Sequence, residues 1–237
     1  MLKADFHTHC AEDPHDEIAH SAEMLIDAAA AAGVRVLAIT CHGAVAHTPY
    51  IERFAREREV LLIPGIEAFI EGKHVLILNP DAEQANARTF DELRRLGRRD
   101  AAMIAPHPFY PAKSSLMAEL ERNIDCFDAI EYSSFHTGWL DLNRKAEAVA
   151  RTHELPMVGA SDTHVLPYVD STFSWVEAEW EVASVIGAIR EGRVRVETRP
   201  RPWRAIADTL RFSVEQEFRN RRKQRLGAVR GAAARPK

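Results

Sequence analysis

The stretch Asp5-Phe6-His7-Thr8-His9 decides how the rest of the chain is read. Leu2, Ala4 and Phe6 alternate with Lys3, Asp5 and His7, the period of a β-strand. Residues two apart on a strand face the same side, roughly 6.6 Å apart. His7 and His9 are therefore expected side by side, close enough for both imidazoles to reach one cation. Imidazole is the commonest metal ligand near neutral pH and suits zinc, iron and manganese alike.

Working outward, the remaining segments alternate in character. A polar loop from Cys10 to Glu17 precedes a helix that Ser21 is placed to cap and Gly33 to end. Val34 to Thr40 is almost continuously apolar, as buried parallel strands are, and it runs into Cys41-His42-Gly43. Further expected strands run from Val60 to Glu67, from Lys73 to Leu78, from Ala101 to Ala105, from Phe127 to Tyr132 and from Leu155 to Ala160. Thr172 to Ala178 and Val194 to Val196 complete the set, with helices between, the clearest from Phe90 to Leu96 and from Leu140 to His153. Strand–helix alternation without a long linker argues one α/β domain with parallel strands.

In such architectures functional side chains gather at the carboxyl ends of the strands. That is where His7, His9, His42, Glu67, His107, Glu131, Asp162 and His164 fall. His74 instead opens its strand and must reach the others from another direction. His20, His47, His136 and His153 lie outside the pattern and are expected to be solvated.

At 237 residues the chain suits one large domain, and 46% hydrophobic with 28% charged residues is ordinary for a soluble enzyme. No apolar run approaches the roughly 20 residues of a membrane helix, and the N-terminus does not read as a secretory signal. Cys10, Cys41 and Cys126 are scattered and odd in number, which suits a reducing cytoplasm better than a disulfide framework. The net charge of −4 divides unevenly: residues 199–237 carry +9 and the preceding 198 residues −13. A basic extension on an acidic body is expected, with Arg199-Pro200-Arg201-Pro202-Trp203 as the boundary. Within it Trp203, Ile206, Leu210, Val214 and Phe218 recur at helical spacing, so a helix packed on the body is expected. The end from Arg219 onward is expected to be solvated and disordered. Nucleic acid binding by that end is the less favoured use of its charge.

Five segments together resemble the PHP family, the polymerase and histidinol phosphatase domain. They are Asp5-x-His7-x-His9, Ile39-Thr40-Cys41-His42-Gly43, Pro64-Gly65-Ile66-Glu67, Pro106-His107-Pro108 and Gly159-Ala160-Ser161-Asp162-x-His164, in the family's order. The resemblance covers roughly residues 2–196 and implies an α/β fold, a single distorted (β/α)7-type barrel; residues 1–198 are then expected to form the barrel, and 199–237 the C-terminal helical extension that charge and spacing predict. It also implies metal-dependent phosphoester hydrolysis with two to three transition-metal ions (Zn, Mn or Fe). By that resemblance His7, His9, Glu67 and Asp162 would hold one ion. Glu67 would bridge to a second held by His74 and His107, and His15, His42 and His164 would hold a third. Asp13 or Asp16 could replace His15 as an oxygen ligand.

Cys41 departs from the family, which usually has Asp before this histidine. Either an inert packed thiol or a thiolate that biases the site towards zinc would fit. Glu131 and Asp5 are expected to orient ligands from behind. Lys113, Arg144 and Lys145 are candidates for contact with a substrate phosphate. A metal-activated hydroxide would attack a small phosphomonoester (histidinol phosphate, nucleotide or sugar phosphate), with His164 or a metal-bound water protonating the leaving oxygen. There is no GxSxG elbow, CxxxxxR loop or P-loop to supply another mechanism. The rival readings are a nuclease, an amidohydrolase cutting C–N bonds, and a non-catalytic metal-binding module. The amidohydrolase fits less well because its usual bridging lysine is absent and Glu67 stands in that place.

Overall fold

In the computed structural model the described residues are 1–204, 206–208, 211, 212, 214–216 and 219. The elements, in chain order, are β1 (Leu2–Asp5), α1 (Ala22–Ala31), β2 (Val36–Ile39), α2 (Pro49–Arg56), β3 (Leu61–Ile70) and β4 (Lys73–Leu78). Then follow α3 (Ala82–Ala85), α4 (Phe90–Leu96), β5 (Ala102–Ala105), α5 (Ala118–Arg122), β6 (Ala129–Ser133) and α6 (Asn143–Thr152). The last are β7 (Met157–Ala160), β8 (Thr172–Val176), α7 (Val182–Arg190) and β9 (Val194–Thr198). Local signals explain several boundaries. Ser21 Oγ accepts the Met24 N–H at the start of α1, and Gly33, with φ of +78°, takes the left-handed turn after it. Thr89 and Glu92 form a capping box on α4.

The strands form one sheet in the order β7-β6-β5-β4-β3-β2-β1-β8-β9. Its two flanks are drawn together where β7 meets β8. Ser174 Oγ accepts the Gly159 N–H at 2.9 Å and donates to the Gly159 carbonyl at 3.1 Å. A Cβ on Gly159 would lie 2.4 Å from the Phe173 carbonyl oxygen, so this approach needs glycine. The result is a nearly closed barrel.

Alternation sorts the core into an inner and an outer layer. Ala4, Phe6, Val36, Ala38, Leu61, Ile63 and Ile104 belong to one buried cluster with Val185, Ile186 and Ile189 of α7. Trp180 Nε1 donates to the Arg35 carbonyl before β2, and Arg190 Nη2 to the Ala101 carbonyl before β5. The α7 region therefore sits at the amino ends of the parallel strands, leaving their carboxyl ends for other chemistry. Burying a side chain such as Phe6 stabilises by about 1.5–3 kcal/mol.

The expected set of parallel strands holds only in part. β4 pairs antiparallel with β3 and β5, and β8 pairs antiparallel with β1 and β9. The β3–β4 connection is a tight hairpin through Glu71 and Gly72, both at positive φ, which leaves no room for a crossover helix. Two histidines expected to be solvated are buried: His20 donates from Nε2 to the His9 carbonyl at 2.8 Å, and His136 sits beside Thr198. Of the helical stripe in the extension, Ile206 is buried, whereas Trp203 and Val214 are 57% and 54% exposed. Leu210, Phe218 and residues 220–237 lie outside the described residues. Among the described residues no helix is long and apolar enough to cross a membrane.

Candidate metal centre

The carboxyl end of β1 continues as an extended segment held by its neighbours on both sides. Asp162 N–H donates to the His7 carbonyl at 2.9 Å, His9 N–H to Thr163 at 3.1 Å, and Thr40 N–H to Thr8 at 2.8 Å. Asp5 contributes from below: its carboxylate accepts the N–H groups of Ser161 and His7 and the Tyr168 hydroxyl. It ties β1 to β7 through backbone rather than touching an imidazole. Burial pushes its carboxyl up to about 6 despite those hydrogen bonds.

His7 and His9 point into the mouth of the barrel with ring centroids 5.1 Å apart. His42 follows β2 and is bridged to Glu67, which lies within β3 rather than at its end. β3 runs on because it continues into the hairpin with β4. That hairpin pairs Phe69 with His74, so an antiparallel strand delivers His74 by its opening residues to the same mouth. His107 and Asp162 follow β5 and β7, and both have positive φ, +26° and +52°. Side chains in that region carry strain, and strain of this kind concentrates at functional sites.

Three imidazoles are clamped by carboxylates. His7 Nδ1 lies 2.7 Å from Glu131 Oε2, His9 Nδ1 3.0 Å from Asp13 Oδ2, and His42 Nδ1 2.8 Å from the same Asp13 oxygen. Each Nδ1 is therefore the donor, and each Nε2 presents a lone pair. Those lone pairs converge on other acceptors. His7 Nε2 and His9 Nε2 are 3.1 Å apart, and each is 3.3 Å from Glu67 Oε2. Asp162 Oδ1 is 3.3 Å and 3.5 Å from them, and His42 Nε2 is 3.1 Å from Glu67 Oε2. The other Glu67 oxygen lies 2.5 Å from His74 Nδ1 and 3.3 Å from His107 Nε2. Glu67 Oε1, His74 Nδ1, His107 Nδ1 and Asp162 Oδ1 are buried with no hydrogen-bond partner.

A pocket of facing lone pairs and orphaned acceptors fits cations. Among the described residues four overlapping triads have ligand atoms within 4.8 Å of one another. They are His7–His9–Asp162, His7–Glu67–His107, His42–Glu67–His74 and His9–His42–His164. Without a cation, protons must do the balancing. Burial opposes charge on His7, but Asp162, Glu131 and Glu67 outweigh it and hold its pKa well above the ordinary value. Burial likewise opposes charge on His9, yet Asp13, Asp162 and Glu67 raise it. Burial also opposes ionisation of Glu67 and Asp162, but the surrounding imidazoles keep both well below the usual range. Burial, then the neighbouring His9, pushes His164 down to about 3.

The remaining sequence candidates divide. His15 is exposed at the rim, its ring 4.8 Å from Phe69 and 6.3 Å from His42, outside the four triads. Asp16 Oδ2 lies 3.6 Å from His164 Nε2. Asp13 Oδ1 accepts the N–H groups of His15 and Asp16, so this one carboxylate both folds the loop and orients two imidazoles. Cys41 is buried against Leu25, Ile26 and Leu37, with its sulfur 3.5 Å from that of Cys10 and outside the triads. Lys113, Arg144 and Lys145 are exposed.

Sequence reasoning missed three residues. Asp13 was visible only as an alternative oxygen ligand, and His20 reaches the centre through a backbone bond that no spacing reveals. Arg201, read as part of the boundary of the extension, is half-buried within electrostatic reach of Asp162.

A family profile described as PHP-associated matches residues 141–194. No curated protein matches the chain. Among solved structures, a two-domain Bacteroides vulgatus protein described as containing a predicted PHP-like metal-dependent phosphoesterase aligns with TM-score 0.64 at 20% identity over 84% of this chain. The chain spans 65% of that protein. An amidohydrolase from Chromobacterium violaceum aligns with TM-score 0.56 at 18% identity, over 81% of this chain and 97% of its own. The lesion-specific endonuclease Q of Pyrococcus furiosus aligns with TM-score 0.61 at 15% identity, over 82% and 57%. The profile matches part of the chain, and these solved structures, at 15–20% identity, share its fold.

Proposed function

We propose that this PHP-type protein hydrolyses a small phosphomonoester at a centre of two to three transition-metal ions, Zn, Mn or Fe. The observation that carries the reading is the meeting of the His7 and His9 Nε2 atoms with Glu67 and Asp162, each imidazole fixed from behind by a carboxylate. His7, His9 and Asp162 would hold one ion and share Glu67 with a second, held also by His74 and His107. His42 and His164 would hold a third. When bound, such ions lower the pKa of water and neutralise charge on phosphoryl oxygens. The chain's own part is to aim these donors and to face them with carboxylates that favour positive charge, whether of protons or of ions. Glu131 and Asp13 hold the protons on Nδ1 of His7, His9 and His42, which leaves every inward nitrogen free to ligate. Burial and the neighbouring His9 lower the pKa of His164, so it would offer a lone pair to an ion or, when it carries a proton, deliver that proton to the leaving oxygen.

Three buried free thiols suit a reducing, cytoplasmic setting. The test is a substrate panel with metal analysis of the same preparation. It would include histidinol phosphate, nucleotides, sugar phosphates, a simple phosphodiester and oligonucleotides. Phosphomonoester turnover that disappears on chelation and returns with Zn, Mn or Fe is expected. Cleavage of oligonucleotides alone would select the nuclease reading, and amide hydrolysis alone would overturn both.

A further inference from the structure

The metal centre is not sealed on every side. The Asp162 side chain keeps 29% exposure, whereas Glu67 and Glu131 keep 1% and 0%. The opening therefore lies beside Asp162, and two side chains that belong to none of the triads border it. Tyr110 follows His107 in the loop after β5, with its ring 6.0 Å from the His107 ring and edge-on to Phe135 at 4.5 Å. Its hydroxyl is buried without a hydrogen-bond partner. A hydroxyl in that condition has been stripped of water and given nothing in return, which is unfavourable unless a ligand completes it.

Arg201 faces Tyr110, Asp162 and Asp208 electrostatically. Its backbone N–H donates to the carbonyl of His136 at 2.9 Å, and His136 is itself anchored to Thr198 at 2.7 Å. The half-buried guanidinium lies within Coulombic reach of both Tyr110 and Asp162. Asp162 is already matched by the imidazoles of His7 and His164 and, on the reading above, by metal. A cation and an unsatisfied hydroxyl thus flank the open edge of a centre that handles phosphoryl groups.

We infer that Arg201 and Tyr110 form the subsite that grips the substrate phosphoryl group at the open edge of the metal centre. The inference rests on the phosphoesterase reading and narrows it. A phosphomonoester has three non-ester oxygens and a diester has two. When metal takes two of them, only the monoester keeps one for Arg201 and Tyr110. The guanidinium supplies charge and a planar pair of donors, and burial raises the Tyr110 pKa so that its O–H remains a donor. This makes the start of the basic extension a determinant of specificity for terminal phosphate, and not only a tether.

The test uses the full-length, metal-loaded protein as wild type, Arg201→Met, Arg201→Lys and Tyr110→Phe. Inorganic phosphate binding is measured by calorimetry, and KM and kcat on p-nitrophenyl phosphate and on bis(p-nitrophenyl) phosphate. Arg201→Met should weaken phosphate binding and raise KM for the monoester by roughly ten- to a hundredfold. Diester hydrolysis and metal content should change little. Arg201→Lys should fall between, because it keeps charge without the planar fork, and it keeps the test usable if the methionine variant misfolds. Tyr110→Phe should show a smaller loss in the same direction. Unchanged phosphate binding in Arg201→Met with full metal content overturns the subsite, as does an equal loss on both esters. Should wild type bind phosphate through Arg201 yet hydrolyse neither ester, the phosphoesterase reading fails and the subsite stands.

Discussion

Two sets of histidines share this centre and are held in different ways. His7, His9 and His42 each have Nδ1 tied to a buried carboxylate, Glu131 or Asp13. His107 Nδ1 has no partner, His74 Nδ1 crowds Glu67, and His164 Nδ1 lies 3.1 Å from the carbonyl and 3.3 Å from Oδ1 of Asp162, a carboxylate of the centre itself. Of the clamped set His7 and His9 have no solvent exposure and His42 keeps 10%, while His74, His107 and His164 keep 11%, 12% and 17%. The clamped set is preorganised by the fold. The unclamped set has its tautomer and final orientation decided by what binds. Glu67 joins the two, with one oxygen towards each.

Breaking that joint should have the largest effect. Glu67→Gln keeps the volume but removes the charge that both sets face. Metal retention and phosphoester turnover should fall together by more than about a hundredfold. Elemental analysis alongside rate measurements checks this, and wild-type metal content in Glu67→Gln would dissolve the shared centre.

Removing a clamp should cost less. Asp13→Asn and Glu131→Gln should each weaken metal binding by roughly ten- to a hundredfold. Asp13→Asn should be the worse of the two, because Asp13 holds His9, His42 and the loop to Asp16, whereas Glu131 holds His7 alone. Competition with a chelator ranks them. The reverse ranking would mean that the buried floor at Glu131 matters more than the loop.

A pH series sharpens the comparison further. In metal-stripped protein the raised pKa of His7 and His9 gives stability that is complete below the ordinary histidine value of 6.5 and is lost as pH rises through their folded-state values. The lowered pKa of Glu67 and Asp162 gives stability present above their ordinary values of 4.5 and 3.8, and lost as pH falls through their folded-state values. Stripped protein should therefore lose Tm between pH 6.5 and 8.5. Metal affinity should instead rise over the same interval, since ions displace those protons. Added metal should extend activity to lower pH. A stripped protein whose Tm rises from pH 6.5 to 8.5 would refute the protonated-histidine account.

The smallest effect is expected at the rim. His15→Ala should leave metal content and turnover within about threefold of wild type, the scale of a surface substitution. Loss of one metal equivalent in that variant would move His15 into the centre and extend the unclamped set.

The sequence by itself determined the strand period around His7 and His9, the helix cap at Ser21, and most of the inward donors. These are legible because they ride on local signals: alternation of side chains, cap chemistry, and polar residues at strand ends. The tertiary structure decided what depends on pairing between distant segments. The hairpin that turns β4 antiparallel brings His74 to the mouth, and the same hairpin leaves Glu67 inside β3 instead of at its end. Asp13 acquires two imidazoles, one of them 29 residues away, because β1 and β2 are neighbours in the sheet. His20 and His136 are buried through contacts that their local sequence does not announce, with the His9 carbonyl and with Thr198. Arg201 is a boundary residue in the linear chain and comes within electrostatic reach of Asp162 where β9 runs back beside β8. Local pattern fixes which atoms a segment can offer; only long-range strand pairing fixes which of those atoms meet.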